Sequence, residues 1–262
     1  MSLAKGIYGQ LSDVWAITKR NLFRYVRLPQ LVFFSSIQPI IFLTLFNYVF
    51  GGALGSSGAA LHGKYINYLL PGIMTQVTLF GGLQTGIGLA RDINSGLIDR
   101  FRSLPMSRAA VLAGRTFADT IRNVVVIAIM LGYGYILGFR FSNGVPNAIG
   151  MVAILLLFGF AFSWVAAFLG MATKDEETAQ LAGFLFVFPL VFASAAFVPV
   201  ASMAKWLQHF ANNQPITFAV NEARSLALGV PSHGALWKVL IWIIGILVVF
   251  IPLSIHSYRK QT

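Results

Sequence analysis

Six long apolar stretches separated by short polar segments dominate the pattern along the chain. Each has about 20 residues or more, the length that an α-helix needs to cross roughly 30 Å of hydrocarbon. The third begins with Asp119, Arg122 and Asn123, which we expect near the membrane interface, with long side chains snorkelling towards it. The pattern predicts transmembrane helices at about residues 31–50, 65–90, 118–138, 147–171, 179–198 and 237–256.

An amphipathic segment precedes the first span. Its apolar side is formed by Val14, Ile17, Leu22, Tyr25 and Leu28, and its basic residues are Lys19, Arg20, Arg24 and Arg27. This pattern predicts, within about residues 1–30, a helix lying on the membrane with its basic residues facing lipid phosphates. A cleavable signal peptide is the alternative, but the following apolar run is too long for a signal core.

Residues 199–236 are also amphipathic and too polar to span a membrane. One apolar stripe contains Met203, Trp206, Leu207 and Phe210, and a second contains Ile216, Val220, Ala223 and Ala227. The spacing predicts two short helices before the last span. We expect them on the outer side, where they cap the bundle or dip into the outer leaflet.

The composition indicates an integral membrane protein. Of 262 residues, 57% are hydrophobic and 10% charged, whereas soluble domains carry about 25% charged residues. The net charge of +11 does not favour nucleic-acid binding, because the basic residues cluster at the ends of apolar runs. Most of the 19 Lys and Arg residues fall on the side that holds both termini, which predicts cytoplasmic termini.

No catalytic, cofactor or metal site is predicted. Gly58, Gly63 and Lys64 match part of a phosphate-binding loop, but Tyr65 replaces the Ser or Thr that holds magnesium. The four histidines lack ligand spacing, and the absence of cysteine excludes thiolate ligands and disulfides. We therefore expect any ATP and magnesium to bind a separate chain.

Amides and aromatic rings, rather than charged groups, occupy the interiors of the predicted spans. Ion-driven carriers usually need ionisable groups at this depth, so the pattern argues against that class. The amides and phenylalanines are candidates to line a path for an apolar substrate, with ordinary packing as the alternative for each ring. The candidate path residues are Gln38, Asn47, Gln76, Gln84, Phe184, Phe188 and Phe192.

Small residues repeat every fourth position in the second span, at Thr78, Gly82, Gly86 and Ala90. Such a ridge lets another helix approach closely. Packing within the chain is one interpretation, and a subunit interface or moving gate is the other.

Residues 91–115 form a charged segment with helical periodicity between two spans. Its apolar side includes Ile93, Leu97 and Phe101, and Gly96 and Pro105 punctuate it. A docking helix for a partner protein has this character, and so does a basic helix resting on anionic headgroups. The residues alone leave both interpretations open.

Two blocks of sequence carry a family resemblance. The block "INSGLIDRFRSLPMSRAAVLAGR" resembles the cytoplasmic segment of type-2 ABC exporter permeases, especially the daunorubicin-resistance-like membrane subunits. The block "FVPVASMAKWLQHFANNQPITFAVNEARSLALG" is similar to that family's stretch between its fifth and sixth spans. One departure is Asp92, where relatives often carry glutamate. The expected ATPase-coupling residues are Asp92, Gly96, Leu97, Asp99, Arg100, Phe101, Arg102, Leu104, Pro105 and Arg108.

The resemblance implies one all-α permease domain over residues 1–262, with six transmembrane helices, an N-terminal interfacial helix, a cytoplasmic coupling helix at 91–115 and two short external helices. It also implies a second permease subunit, identical or paralogous, and two copies of a cytoplasmic ATPase. The expected function is export of amphipathic drugs or lipid-like molecules across a bacterial cytoplasmic membrane, by a chain that is not itself an enzyme. A membrane scaffold and an ion-driven efflux carrier are the alternatives.

Overall fold

The computed structural model describes residues 2–55, 64–97 and 108–259. Regular structure in these ranges is helical and includes no strand, which confirms the all-α prediction for them. A short 3-10 turn occupies Val200–Ser202. In chain order, the α-helices are α1 Ser2–Arg27, α2 Pro29–Gly55, α3 Tyr65–Asn94, α4 Arg108–Ile136, α5 Gly144–Thr173, α6 Glu176–Phe192, α7 Lys205–Asn213, α8 Pro215–Leu228 and α9 Ala235–Arg259.

Helix ends follow local backbone chemistry. Pro29 begins α2 directly after α1, because proline fits a first helical turn but interrupts a continuing helix. Between α5 and α6, Lys174 is left-handed with φ 59°. Asp175 then caps α6 by accepting hydrogen bonds from the Thr178 backbone N–H and hydroxyl, both at 2.7 Å. The hydrogen bond from the Thr178 backbone N–H is the largest cause that lowers the pKa of the Asp175 carboxyl, and the hydrogen bond from the Thr178 hydroxyl lowers it further.

Helix α6 covers only part of the predicted fifth span. The apolar run continues to residue 198, but the helix ends at Phe192, shortly after Pro189. Beyond it lie turns in which the carbonyl oxygen of Ala195 accepts hydrogen bonds from Tyr68 and Arg224. The helix can end here because these side chains satisfy the freed backbone groups.

Helix α3 lies at the centre of the bundle, where it packs against α2, α4, α5, α6 and α8. Most of its residues are buried, including Thr75, Thr78 and Thr85. Among the described residues, α2, α4, α5 and α9 contain stretches long and apolar enough to cross a membrane. The greater polarity of α3 fits its position, because protein rather than lipid surrounds most of it.

The region between α6 and α9 contains two short helices, at the places that the two stripes predict. The second stripe, Ile216, Val220, Ala223 and Ala227, is fully buried, and α8 packs against α5, α9 and α3. Trp206 and Phe210 of α7 are exposed. Helix α8 is therefore part of the core, while α7 presents apolar rings outward.

Candidate functional site

Helices α3 and α5 cross at close range through small residues. A Cβ atom at Gly86 would overlap the Ala166 carbonyl oxygen, and one at Gly170 would overlap that of Gly86. A Cβ atom at Gly159 would lie 2.8 Å from the Thr78 Cβ. The ridge residues Thr78, Gly82, Gly86 and Ala90 are all buried. The ridge contacts α5 of the same chain.

A buried ion pair joins α3 to α4 next to this crossing. Arg115 Nη1 donates to Asp92 Oδ2 at 2.7 Å, and Arg20 Nη2 of α1 lies 3.6 Å from the same oxygen. Gly88 provides the space, because a Cβ there would overlap the Arg115 guanidinium. Asp92, a predicted coupling residue, thus connects three helices.

Polar groups one and two turns further along α4 are buried as well. Asp119 accepts hydrogen bonds from the Tyr25 hydroxyl of α1 and from the Thr85 hydroxyl of α3, the latter at 2.6 Å. Arg122 donates to the Gly81 carbonyl oxygen at 2.9 Å. Asn123 is also buried. The predicted snorkelling is therefore wrong: these side chains point into the protein, because α1 and α3 supply partners for them.

Helix α1 packs along α4 with one face. Ile17 and Thr18 are buried there, and the Thr18 hydroxyl donates to the Gly114 carbonyl oxygen at 3.0 Å. Arg20, which was expected to face lipid phosphates, lies 3.6 Å from Asp92, and its side chain remains 36% exposed. Burial lowers the pKa of Arg20, and the Asp92 charge opposes that shift.

Several predicted path residues line one cavity of about 150 Å³. Gln38 of α2, Gln76 and Gln84 of α3 and Phe184 of α6 lie on its walls, together with Arg122. The Oε1 atom of Gln76 is buried without a hydrogen-bond partner among the described residues. The cavity combines amide groups with aromatic rings, the mixture that suits an amphipathic molecule.

The other three path residues lie outside this cavity. Phe188 and Phe192 continue a row of rings that starts at Phe184, with centroid separations of 6.3 Å and 4.2 Å along it. Phe197 extends the row at 4.9 Å from Phe192. Asn47 is half-buried on α2 and lines none of the described cavities.

Only part of the predicted coupling segment is described. Gly96 has φ 67°, a left-handed conformation that favours glycine, and lies in the turn after α3, followed by half-buried Leu97. Helix α4 begins at Arg108. Asp99, Arg100, Phe101, Arg102, Leu104 and Pro105 lie outside the described residues. Beside the segment, Arg91 Nε donates to Glu176 Oε2 of α6 at 2.8 Å.

A second polar centre lies where α3 meets α8. Arg224 is buried, donates to the carbonyl oxygens of Tyr68 at 2.9 Å and of Ala195 at 2.7 Å, and has its guanidinium carbon 3.4 Å from the centre of the Tyr68 ring. Burial lowers the pKa of Arg224, and Tyr68 opposes the shift. Glu222, two residues before it in α8, is also buried, and burial raises its carboxyl pKa.

The charged residues of α4 were not predicted to form one buried cluster, although the sequence contains a signal for it. Arg115, Asp119 and Arg122 follow an i, i+4, i+7 spacing, which places them on one helix face. A polar stripe on a mostly apolar helix indicates a buried partner. The partners could not be named, because Asp119 is 94 positions from Tyr25 in the chain.

Long apolar helices around a glycine-lined crossing, with a polar cavity between them, define a polytopic membrane protein. The profile of the ABC-2 type transporter family matches residues 12–228. The chain belongs to that family.

Curated relatives agree with this assignment. The chain is 32% identical over 258 residues to the daunorubicin resistance ABC transporter permease protein DrrB1 of Streptomyces coeruleorubidus, covering 98% of this chain and 88% of the relative. It is 30% identical over 247 residues to the probable doxorubicin resistance ABC transporter permease protein DrrC of Mycobacterium tuberculosis (strain CDC 1551 / Oshkosh), covering 94% and 88%. This chain is thus a membrane permease subunit of an ABC exporter, and its family implies an ATPase partner.

Proposed function

We propose that this permease exports amphipathic drugs or lipid-like molecules from the cytoplasm or inner leaflet by alternating access. The cavity between α2, α3, α4 and α6 carries the proposal, because its amides and aromatic rings suit such molecules. The names of two relatives, which refer to daunorubicin and doxorubicin resistance, support the drug class.

The proposed architecture has six transmembrane helices: α2, α3, α4, α5, α6 with the turns after it, and α9. Both termini and residues 91–115 are cytoplasmic, α1 lies at the inner interface, and α7 and α8 are external. The charge distribution supports this orientation. The protein would reside in a bacterial cytoplasmic membrane.

In this proposal two copies of an ATPase dock on the segment 91–115 of two paired permeases. Residues Asp99 and Arg100 would contact the ATPase and fix its register. The Asp92–Arg115 ion pair connects the end of α3 to α4 and, through Arg20, to α1. These helices would move as one unit when ATP closes the ATPase pair. ATP and magnesium would bind the ATPase alone.

The test is reconstitution of the permease with its ATPase in liposomes that contain a fluorescent amphipathic drug. We expect ATP-dependent drug movement and drug-stimulated hydrolysis. A scaffold would give neither. An ion-driven carrier would lose transport when the proton gradient is collapsed while ATP remains.

Coupling through residues 91–115 has its own prediction. Asp99→Ala and Arg100→Ala should each lower drug-stimulated ATPase activity and efflux at least about tenfold, a loss that corresponds to about 1.4 kcal/mol of coupling. Lys260→Ala is the control, since it removes a charge expected on the same side but away from the segment. Unchanged activity in both variants would remove these two residues from the coupling role.

A further inference from the structure

A second cavity, of about 300 Å³, lies between α1, α2, α3 and α4. Arginines reach it from three of these helices: Arg24 from α1, Arg91 from α3, and Arg115 and Arg122 from α4. Among the described residues that line it, Asp119 is the one carboxylate. The wall therefore carries an excess of positive charge within a low-dielectric surrounding, which attracts anions.

The chain balances this charge only in part. Asp92 pairs with Arg115, and Glu176 pairs with Arg91. Asp119 accepts its hydrogen bonds from neutral hydroxyl groups. Within the described residues, Arg24 and Arg122 have no carboxylate partner. Because Asp119 lines the same cavity, its charge offsets one of these two, and one positive charge is left for an anion from outside the chain.

Unused donors point to the same conclusion. The Nε atoms of Arg115 and Arg122 and the Nδ2 atom of Asn21 are buried without a hydrogen-bond partner in the described structure. Buried donors in folded proteins are nearly always satisfied, so an acceptor from elsewhere is expected. Guanidinium groups match the oxygens of a phosphate in geometry and charge.

The basic cavity adjoins the amide-lined cavity described above. Ser35, Gln84, Ile87 and Arg122 line both. Phe34, which is 67% exposed, also borders the basic cavity, so the space reaches the lipid-facing side of α2. A positively charged compartment therefore lies directly against an aromatic one, and the exposed Phe34 borders the charged compartment.

We propose that the joined cavities bind a phosphate-bearing lipid that enters from the cytoplasmic leaflet. The phosphate lies among Arg24, Arg115 and Arg122, and the acyl chain extends along Phe80 and Phe184. The proposal rests on the proposed function for its orientation, and it names phosphate-bearing lipids as one class of ligand that this site takes.

Binding is measured on the purified permease in neutral detergent, by native mass spectrometry with phosphatidylglycerol and with phosphatidylcholine as lipid probes. We expect the anionic lipid to bind more tightly, and Arg24→Gln to weaken it about tenfold. The matched control is Arg27→Gln on the same helix, which is exposed, lines neither cavity and should change binding less than about twofold. An equal loss of lipid affinity in both variants would mean that the lipid is held by general attraction to the basic protein surface, and it would overturn the proposal.

A second variant separates a lipid from a free phosphate. Ser35→Phe fills the junction of the two cavities, so it should weaken phosphatidylglycerol binding and leave Arg24 unaltered. Inorganic phosphate is added as a competitor in parallel. If phosphate displaces the lipid fully at millimolar concentration and Ser35→Phe has no effect, the site binds free phosphate and the lipid assignment fails. Melting temperatures measured without lipid show whether each variant is folded. Arg24→Lys keeps the positive charge and should retain lipid binding.

The binding assay contains no ATPase and no transport step. Loss of lipid binding with intact ATP-driven efflux would reject this inference alone. Intact lipid binding without efflux would reject the proposed function alone.

Discussion

At the scale of single residues, Arg224 has the most demanding environment. It is buried, and carbonyl oxygens of Tyr68, Ala195 and Ala196 accept its hydrogen bonds. Arg224→Met removes the guanidinium donors from these carbonyl oxygens, of which that of Ala195 keeps the Tyr68 hydroxyl, and should lower the free energy of unfolding by about 1–3 kcal/mol. Arg224→Lys should recover little of this loss, because an ammonium cannot stack on Tyr68 and reach all three oxygens.

The measurement is thermal unfolding of the detergent-purified variants. Arg140→Lys is the control, since Arg140 donates to the backbone carbonyls of Tyr135 and Phe139 at a more exposed position. A melting temperature for Arg224→Lys equal to that of Arg140→Lys would contradict the role assigned to the buried guanidinium.

The importance of Arg224 was only partly predictable. It lies in the second resemblance block, but its acceptor on Tyr68 is 156 positions away in the chain. Periodicity describes the face on which a residue lies. It carries no information on which distant carbonyl groups that face will meet.

At the scale of helices, the crossing of α3 and α5 makes a sharp prediction. A methyl group at Gly86 overlaps the Ala166 carbonyl oxygen, and backbone atoms cannot move aside as a flexible side chain can. Gly86→Ala should therefore cost about 1–3 kcal/mol by overpacking and lower the melting temperature.

Two other helical glycines serve as controls for this substitution. Gly132 of α4 and Gly245 of α9 have no atom within 4 Å of an added Cβ. Their alanine variants should be neutral or slightly stabilising, since alanine favours the helix by about 0.5–1 kcal/mol. The close-packing account fails if Gly86→Ala melts at the same temperature as these two.

At this scale, the sequence predicted the ridge from its four-residue repeat, but not its partner. The partner ridge on α5 includes Gly159 and Gly170, which lie in a helix so apolar that it has no distinct polar face. Which two ridges meet depends on how all the helices pack together.

At the scale of the whole molecule, the orientation in the membrane is the property to test. The chain has no cysteine, so each substitution introduces a single thiol. A membrane-impermeant maleimide should label Ser202→Cys, in the 3-10 turn, on intact cells. Ser103→Cys, in the coupling segment, should react only after the cells are permeabilised.

Ser257→Cys near the end of α9 is the control, because it should share the side of residue 103. Labelling of Ser103→Cys from outside intact cells would place the coupling segment away from the cytoplasm. The proposed docking to a cytoplasmic ATPase would then be untenable.

The sequence by itself determined the all-helical class, the approximate positions of the helices and the family. The helices follow from hydrophobic periodicity and length, which depend on neighbours within a few turns, and the family follows from two blocks of sequence. The tertiary structure decided which charged groups are buried, such as Asp119 and Arg122, where α6 ends, and which cavity Gln76 and Gln84 line. Those features arise from contacts between distant segments, whose free energy is set by packing around α3 rather than by any local pattern.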